Sequence, residues 1–141
     1  MKILPYILFN GNCREAVSFY AEVFGSPNAD VITNKEIVSN AESEIEKDDK
    51  QFVMHSKRII NEANVMFSDL VPGMAFIEGN NVTLIIISDE MEEIKDVYFK
   101  LKEGGTVDKE LQKTFWSKAY CSMRDRFGIG WQMSFEKGVN G

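Results

Sequence analysis

Apolar and polar positions change period along this chain in an order that occurs twice. Residues 3–9, "ILPYILF", form a nearly continuous apolar run, the pattern of a strand buried on both faces or nearly so. The run breaks at Asn10-Gly11-Asn12. Ala16, Phe19, Tyr20, Val23 and Phe24 then recur at helical spacing as one apolar stripe. Asn12 suits an N-cap, Glu15 follows it as in a capping box, and Gly25 supplies the left-handed conformation that ends helices. The order returns at "NNVTLIIIS", residues 80–88, a strand rich in β-branched side chains. Asp89 and Glu92 repeat the cap and its partner. Met91, Ile94, Val97, Tyr98 and Leu101 repeat the stripe, and Gly104-Gly105 repeats the stop. From Asn12 to Asp89 the unit recurs after 77 residues.

Strand candidates follow each helix. After the first come "ADVITNKEI", "KQFVMHSKRII" and "NVMFSDL", with a hairpin turn at Asn61-Glu62-Ala63-Asn64 between the last two. After the second come "TVDKELQ", "KAYCSMRD" and "GWQMSFE", with the final hairpin turn at Phe127-Gly128. The acidic stretch 39–50 reads as a loop or short exposed helix. "DLVPGMAFIEGN", rich in turn residues, reads as a link. The predicted class is α+β, two βαβββ modules of mixed, curved sheet with one main helix each. The chain reads as one domain over 1–141, with modules at about 1–70 and 80–136 and a linker at about 71–79. Curved sheets covered by helices on one side can enclose a cavity on the other, where a small molecule binds.

Composition narrows the partners. The 141 residues are 44% hydrophobic, which suits a folded domain, and the net charge is −6. Lysines and arginines are scattered among acids, which argues against nucleic acid, since neutralising phosphates needs clustered cations. No run approaches the roughly 20 apolar residues of a bilayer span, and "MKILPYILF" reads as a first strand rather than a leader. Cys13 and Cys121 are the only cysteines, with no CxxC pair, so a reduced, cytoplasmic setting is expected.

"PYILFNGNCREAVSFYAEVFG", "HSKRIINEANVMFSD", "LKEGGTV" and "MRDRFGIGWQMSF" together resemble the PhnB-like branch of the vicinal oxygen chelate superfamily, in order and over nearly the whole chain. The superfamily includes glyoxalase I, extradiol dioxygenases, and fosfomycin and bleomycin resistance proteins. This branch often carries a 3-demethylubiquinone-9 3-methyltransferase label. The resemblance implies paired βαβββ modules and, commonly, homodimers. It implies little about reaction, because one scaffold hosts many chemistries. No glycine-rich strand-to-helix turn is present to cradle a nucleotide-like cofactor, and "EGGTV" follows a helix, the wrong end for holding an anion. No cofactor is expected.

Metal-dependent members place His or Glu on the first and last strands of the modules, and those positions depart from the pattern here. The first falls on Pro5, which has no side-chain ligand atom. The second falls within Val65, Met66, Phe67 and Ser68, with Asp69 late, near the loop. The third falls within Asn81 to Thr83, and the fourth on Gln132, whose neutral amide oxygen binds a hard ion less well than carboxylate. No metal site is expected in the usual place. His55, the only histidine, matches one expected in this branch; it reads either as a residue satisfied by the backbone or as a polar group facing the cavity.

Cys13, near a helix start, admits a lowered thiol pKa, but a small packed residue is the plainer reading. Phe115, Trp116 and Tyr120 suit a cavity mouth or a dimer seam. Arg124 and Arg126 offer charge to an anion or remain solvated, and Asp125 caps a turn. Two classes of function follow. One is a dimeric small-molecule binding protein with an aromatic-lined cavity and no chemistry. The other is a glyoxalase-type lyase, isomerase or transferase acting on a small oxygenated substrate, with His55 as the candidate catalytic residue. The candidate ligand-binding residues are Asn10, His55, Thr83, Trp116 and Gln132.

Overall fold

The computed structural model describes residues 1–25, 30–33, 53–60 and 63–138, with backbone alone at 30–33, 53–60 and 63. The acidic stretch 39–50 and the turn at Asn61-Glu62 lie outside the described residues. The chain divides into two compact units, Met1–Ile77 and Glu78–Gly141.

In the first unit β1 (Tyr6–Phe9), α1 (Cys13–Phe24), β2 (Asp30–Thr33), β3 (Val53–Ile60) and β4 (Ala63–Asp69) build a four-stranded sheet in the order β1-β4-β3-β2. In the second, β5 (Leu84–Ser88), α2 (Met91–Leu101), β6 (Thr106–Gln112), β7 (Tyr120–Arg124) and β8 (Gly130–Phe135) build a sheet in the order β5-β8-β7-β6. In each, the first and last strands pair in parallel and the others antiparallel. The architecture is α+β, two βαβββ modules with one helix apiece among the described residues.

The helical stripes account for the cores. Ala16, Val17, Phe19, Tyr20 and Val23 of α1 are buried, and Tyr20 stacks on Phe67 of β4 with ring centroids 5.7 Å apart. Ile94, Val97, Tyr98 and Leu101 of α2 are buried, in the layer of Cys121, Met123, Trp131 and Met133 from β7 and β8. Each such large apolar side chain contributes about 1.5–3 kcal/mol on burial.

Four local expectations are corrected. The first strand begins at Tyr6 rather than residue 3, because Pro5 has no N–H to extend the ladder; its carbonyl still accepts from Met66 N–H at 3.0 Å. That strand is not buried on both faces. Phe9 is buried and Tyr6 and Leu8 are exposed, since a single helix covers a single face. Asn12 makes no side-chain cap; instead Asp69, 3% exposed at the end of β4, accepts from Cys13 N–H at 2.9 Å. In the second module the residue before the helix is Glu90, not Asp89. Ser88 accepts from Glu90 N–H at 3.1 Å and donates to the Glu93 carboxylate at 2.7 Å.

The glycine stops differ as well. Gly25 ends α1 in the left-handed conformation, φ 66°. Helix α2 ends earlier, at Leu101, and Gly105 serves close packing: a Cβ there would lie 2.2 Å from the Arg124 carbonyl oxygen.

Urea denaturation tests both devices. Gly105→Ala is expected to cost about 3 kcal/mol through the backbone clash, against less than about 0.5 kcal/mol for Gly79→Ala, whose nearest neighbour is at 3.6 Å. Asp69→Ala is expected to cost about 1–2 kcal/mol, whereas Asn12→Ala costs a few tenths.

Candidate functional site

The helix-free face of the second sheet is set by strand alternation. Tyr120, Ser122 and Arg124 of β7 share it with Gln132 and Ser134 of β8 and with Ile85 and Ile87 of β5. Register sets Gln132 between Ile85 and Ser122, and Ser134 between Ile87 and Tyr120. Ile85 is 51% exposed. Trp131, adjacent in sequence, is buried on the helix side, as alternation requires.

A hydrogen-bonded chain crosses this face. Tyr120 Oη donates to Gln132 Oε1 at 2.5 Å, and Gln132 Nε2 donates to Thr83 Oγ1 at 2.8 Å. Thr83 approaches closely because Gly130 lies opposite; a Cβ on Gly130 would be 2.9 Å from Thr83 Cγ2.

An aromatic tip continues the chain. Trp116 packs edge-on against Tyr120 with centroids 5.3 Å apart, and Phe115 against Trp116 at 4.7 Å. Their loop is a tight turn: Ser117 N–H donates to Thr114 Oγ1 at 3.1 Å and Thr114 N–H to the Ser117 carbonyl at 2.9 Å. The buried Ser117 hydroxyl sits between the carbonyls of Ala119 (2.7 Å) and Phe135 (2.9 Å), which anchors the turn on the sheet. Trp116 is 52% exposed and Phe115 97%.

The final hairpin is held from inside. Asp125, 3% exposed, accepts from the N–H groups of Phe127 (2.8 Å) and Ile129 (3.1 Å) and from Trp131 Nε1 (2.8 Å). This is the turn-capping role expected of it. The flanking arginines are not merely solvated. Arg124 donates to the Gly128 carbonyl and, at 3.0 Å, to the Gly79 carbonyl; Arg126 donates to the Glu103 carbonyl at 3.1 Å. An open recess of about 390 Å³, lined by Glu78, Gly79, Asn80 and Arg124, adjoins the hairpin.

Of the candidates, Thr83 and Gln132 are hydrogen-bonded to each other in the second unit, and Trp116 reaches Gln132 through Tyr120. Asn10 is an exposed bend residue of the first unit. His55 stands on β3 opposite Ile32 of β2, and its side chain lies outside the described residues. Tyr120, the link between Trp116 and Gln132, was legible only as part of an aromatic run, since its partner is 12 residues away across a hairpin.

Neither thiol is activated. Burial, helped by the Asp69 charge and opposed by Arg14, pushes Cys13 from 9.0 up to about 12. Burial pushes Cys121 up to about 11. The helix start does not lower Cys13, because its N–H is already spent on an anionic carboxylate.

No group of three or more His, Cys, Asp or Glu side chains among the described residues could hold a metal ion. No helix of the described residues is long and apolar enough to cross a membrane.

Residues 1–134 match the family described as 3-demethylubiquinone-9 3-methyltransferase. The chain is similar to protein YjdN of Escherichia coli strain K12, 29% identical over 144 residues spanning 97% of each. Protein PA1353 from Pseudomonas aeruginosa superimposes with a TM-score of 0.81 at 29% identity, covering 96% of this chain and 98% of that one. The PhnB protein from Bacillus cereus gives 0.76 at 22% identity, covering 96% and 100%. The fosfomycin resistance protein FosX from Listeria monocytogenes shares the fold, with a TM-score of 0.61 at 10% identity over 98% and 94% of the two chains.

Both cysteines are expected to resist alkylation at pH 8 in the native protein and to react together on unfolding in denaturant. The unfolded thiols ionise near 9.0 and the folded ones only near 11 and 12. Their contribution to stability is therefore intact below pH 9 and falls as pH rises above it. Urea midpoints at pH 8 and pH 10, with Cys13→Ala as comparison, check the sign.

Proposed function

The chain belongs to the PhnB-like family described as 3-demethylubiquinone-9 3-methyltransferase, within the vicinal oxygen chelate superfamily, and from that premise we propose that it binds a small molecule around Gln132 without the superfamily's usual metal ligand set. The supporting observation is the state of Gln132. Its amide oxygen accepts from Tyr120 and its amide nitrogen donates to Thr83, so the group is oriented by neutral partners.

The remaining positions fit a divalent cation no better. Pro5 offers no side-chain donor. Asp69 is buried and turned to the start of α1, where it caps Cys13 N–H. Thr83 accepts from Gln132. A hard cation needs several anionic or carbonyl oxygens, and among the described residues no group of three or more His, Cys, Asp or Glu side chains could supply them. Gly104-Gly105 follows α2 and packs against Arg126 and the backbone at Arg124 and Asp125, so its close approach serves packing.

The same reading makes the protein a cytoplasmic homodimer. Two unpaired thiols suit a reducing compartment. The exposed Tyr6, Leu8, Ile85 and Ile87 leave apolar surface that association would cover. Light scattering is expected to return a mass near twice 16.1 kDa, and a monomer at micromolar concentration would overturn this part.

A thermal-shift screen of metabolites and metals tests the binding reading. A ligand at about 100 times its dissociation constant adds about 2.7 kcal/mol to folded-state stability. The expected result is a metabolite that raises the melting temperature equally with and without EDTA, and does so less in Gln132→Ala. A transition metal that co-purifies near one per chain and is lost in Gln132→Ala would overturn it.

A further inference from the structure

Among the asparagines of the described residues, only Asn10 is followed by glycine. The pair Asn10-Gly11 sits in the turn between β1 and α1, and both residues are exposed. Neither has a hydrogen bond to another described residue. Gly11 takes φ 89°, and a Cβ built on it would meet nothing within 4 Å. The Gly11 backbone nitrogen is therefore neither shielded by a side chain nor held by an acceptor, and the Asn10 amide beside it is equally free.

The other described asparagines each lack one of these conditions. The N–H that follows Asn12 belongs to Cys13 and is held by Asp69 at 2.9 Å. Asn64 lies in β4, paired with Ile59 of β3, and precedes the buried Val65. Asn80 and Asn81 are exposed, but the side chains of Asn81 and Val82 crowd the nitrogens that follow them.

An open Asn-Gly pair has a reaction available that needs only water. The Gly11 nitrogen loses its proton to solvent base and attacks Asn10 Cγ. The new C–N bond closes a succinimide ring, and the side-chain nitrogen leaves as ammonia with a proton from solvent. Water then opens the ring. Addition at Cγ restores the backbone and leaves aspartate. Addition at the Asn10 main-chain carbonyl carbon leaves the chain running through Cβ and Cγ, an isoaspartyl link. Either route consumes one water and releases one ammonia, with no oxidation or reduction.

The isoaspartyl link is longer by one backbone atom, and the turn is held at both ends. The Phe9 carbonyl accepts from Leu70 N–H at 2.8 Å, and Cys13 N–H donates to Asp69 at 2.9 Å. Residues 10–12 alone join these points. We propose that Asn10 is a site of spontaneous deamidation, and that its isoaspartyl product loosens α1 from the Asp69 carboxylate that caps its first turn. The aspartyl product keeps the backbone path and adds negative charge near a helix start, which the helix dipole favours. This site lies in the first unit and is independent of the Gln132 reading.

Peptide mapping by mass spectrometry of the full chain, incubated folded or in guanidinium, supplies the test. Trypsin releases residues 3–14 as one peptide, in which fragmentation separates Asn10 from Asn12. Asn140-Gly141 lies outside the described residues and falls in a different peptide, 138–141. The expected result for the folded chain at pH 8 is a gain of about 1 Da at Asn10, divided between aspartyl and isoaspartyl forms. Its rate lies within about tenfold of that in the unfolded chain, because an open turn needs little local unfolding to react. Conversion is faster at pH 9 than at pH 7, Asn64 stays unmodified in the folded chain, and Asn10→Gln abolishes the reaction. The isoaspartyl fraction, separated by chromatography, unfolds at lower urea concentration than the parent, whereas Asn10→Asp unfolds with it.

A native rate at Asn10 slower than that tenfold limit, or conversion at Asn64 as fast as at Asn10, overturns the site. An isoaspartyl form with the parent's urea midpoint overturns the loosening of α1 and leaves the modification site standing. A midpoint lowered equally in Asn10→Asp overturns the backbone explanation, since charge alone then accounts for the loss.

Discussion

Parallel pairing of the first and last strands of each module is the constraint from which the rest of the molecule follows. A parallel pair cannot be closed by a hairpin, so the chain must cross over the sheet, and a helix is the compact way to do it. In each unit that helix follows the first strand and buries one face of a four-stranded sheet. Among the described residues the opposite face has no helix of its own. Ile85 and Gln132 become neighbours only because β5 and β8 pair in this way, although 47 residues separate them in sequence, 132 less 85.

The duplication is one of geometry and not of chemistry. Counted back from the last parallel pair, Tyr6 and Met66 of the first unit correspond to Ile85 and Gln132 of the second. The first unit has a Tyr6–Ser68 hydrogen bond on this face at 3.0 Å, and the second has the chain from Tyr120 through Gln132 to Thr83. Helix starts diverge likewise. Asp69 serves α1 from the last strand, whereas Ser88 and Glu93 serve α2 from the first strand and the helix itself. Each unit solves the same problem of unpaired N–H groups with whichever side chain its own strand ends supply.

The family has a description that names a methyltransferase and structural neighbours that include a fosfomycin resistance protein. Shared backbone does not carry shared reaction. In this chain Asp69 is committed to a helix start, and Gln132 is held between Tyr120 and Thr83. The polar groups that remain are held by one another, and the glycines near the second helix are used for packing against β7 and its turn.

Hydrophobic period alone determined the two βαβββ modules, the buried stripes of both helices and the positions of their strands, because period and burial are coupled residue by residue. The family resemblance marked Thr83 and Gln132 as candidates, and the aromatic run marked Trp116. Strand limits, caps and faces were decided by tertiary structure. Pro5 delayed the first strand, Asp69 reached across 56 positions to displace Asn12 as the cap, and Tyr6 and Leu8 stayed exposed where the apolar run implied burial. Tyr120 joined Gln132, and Arg124 joined Gly79 across 45 positions. Such contacts depend on register and on the direction a side chain takes from its strand, and neither is written in the local pattern of apolar and polar residues.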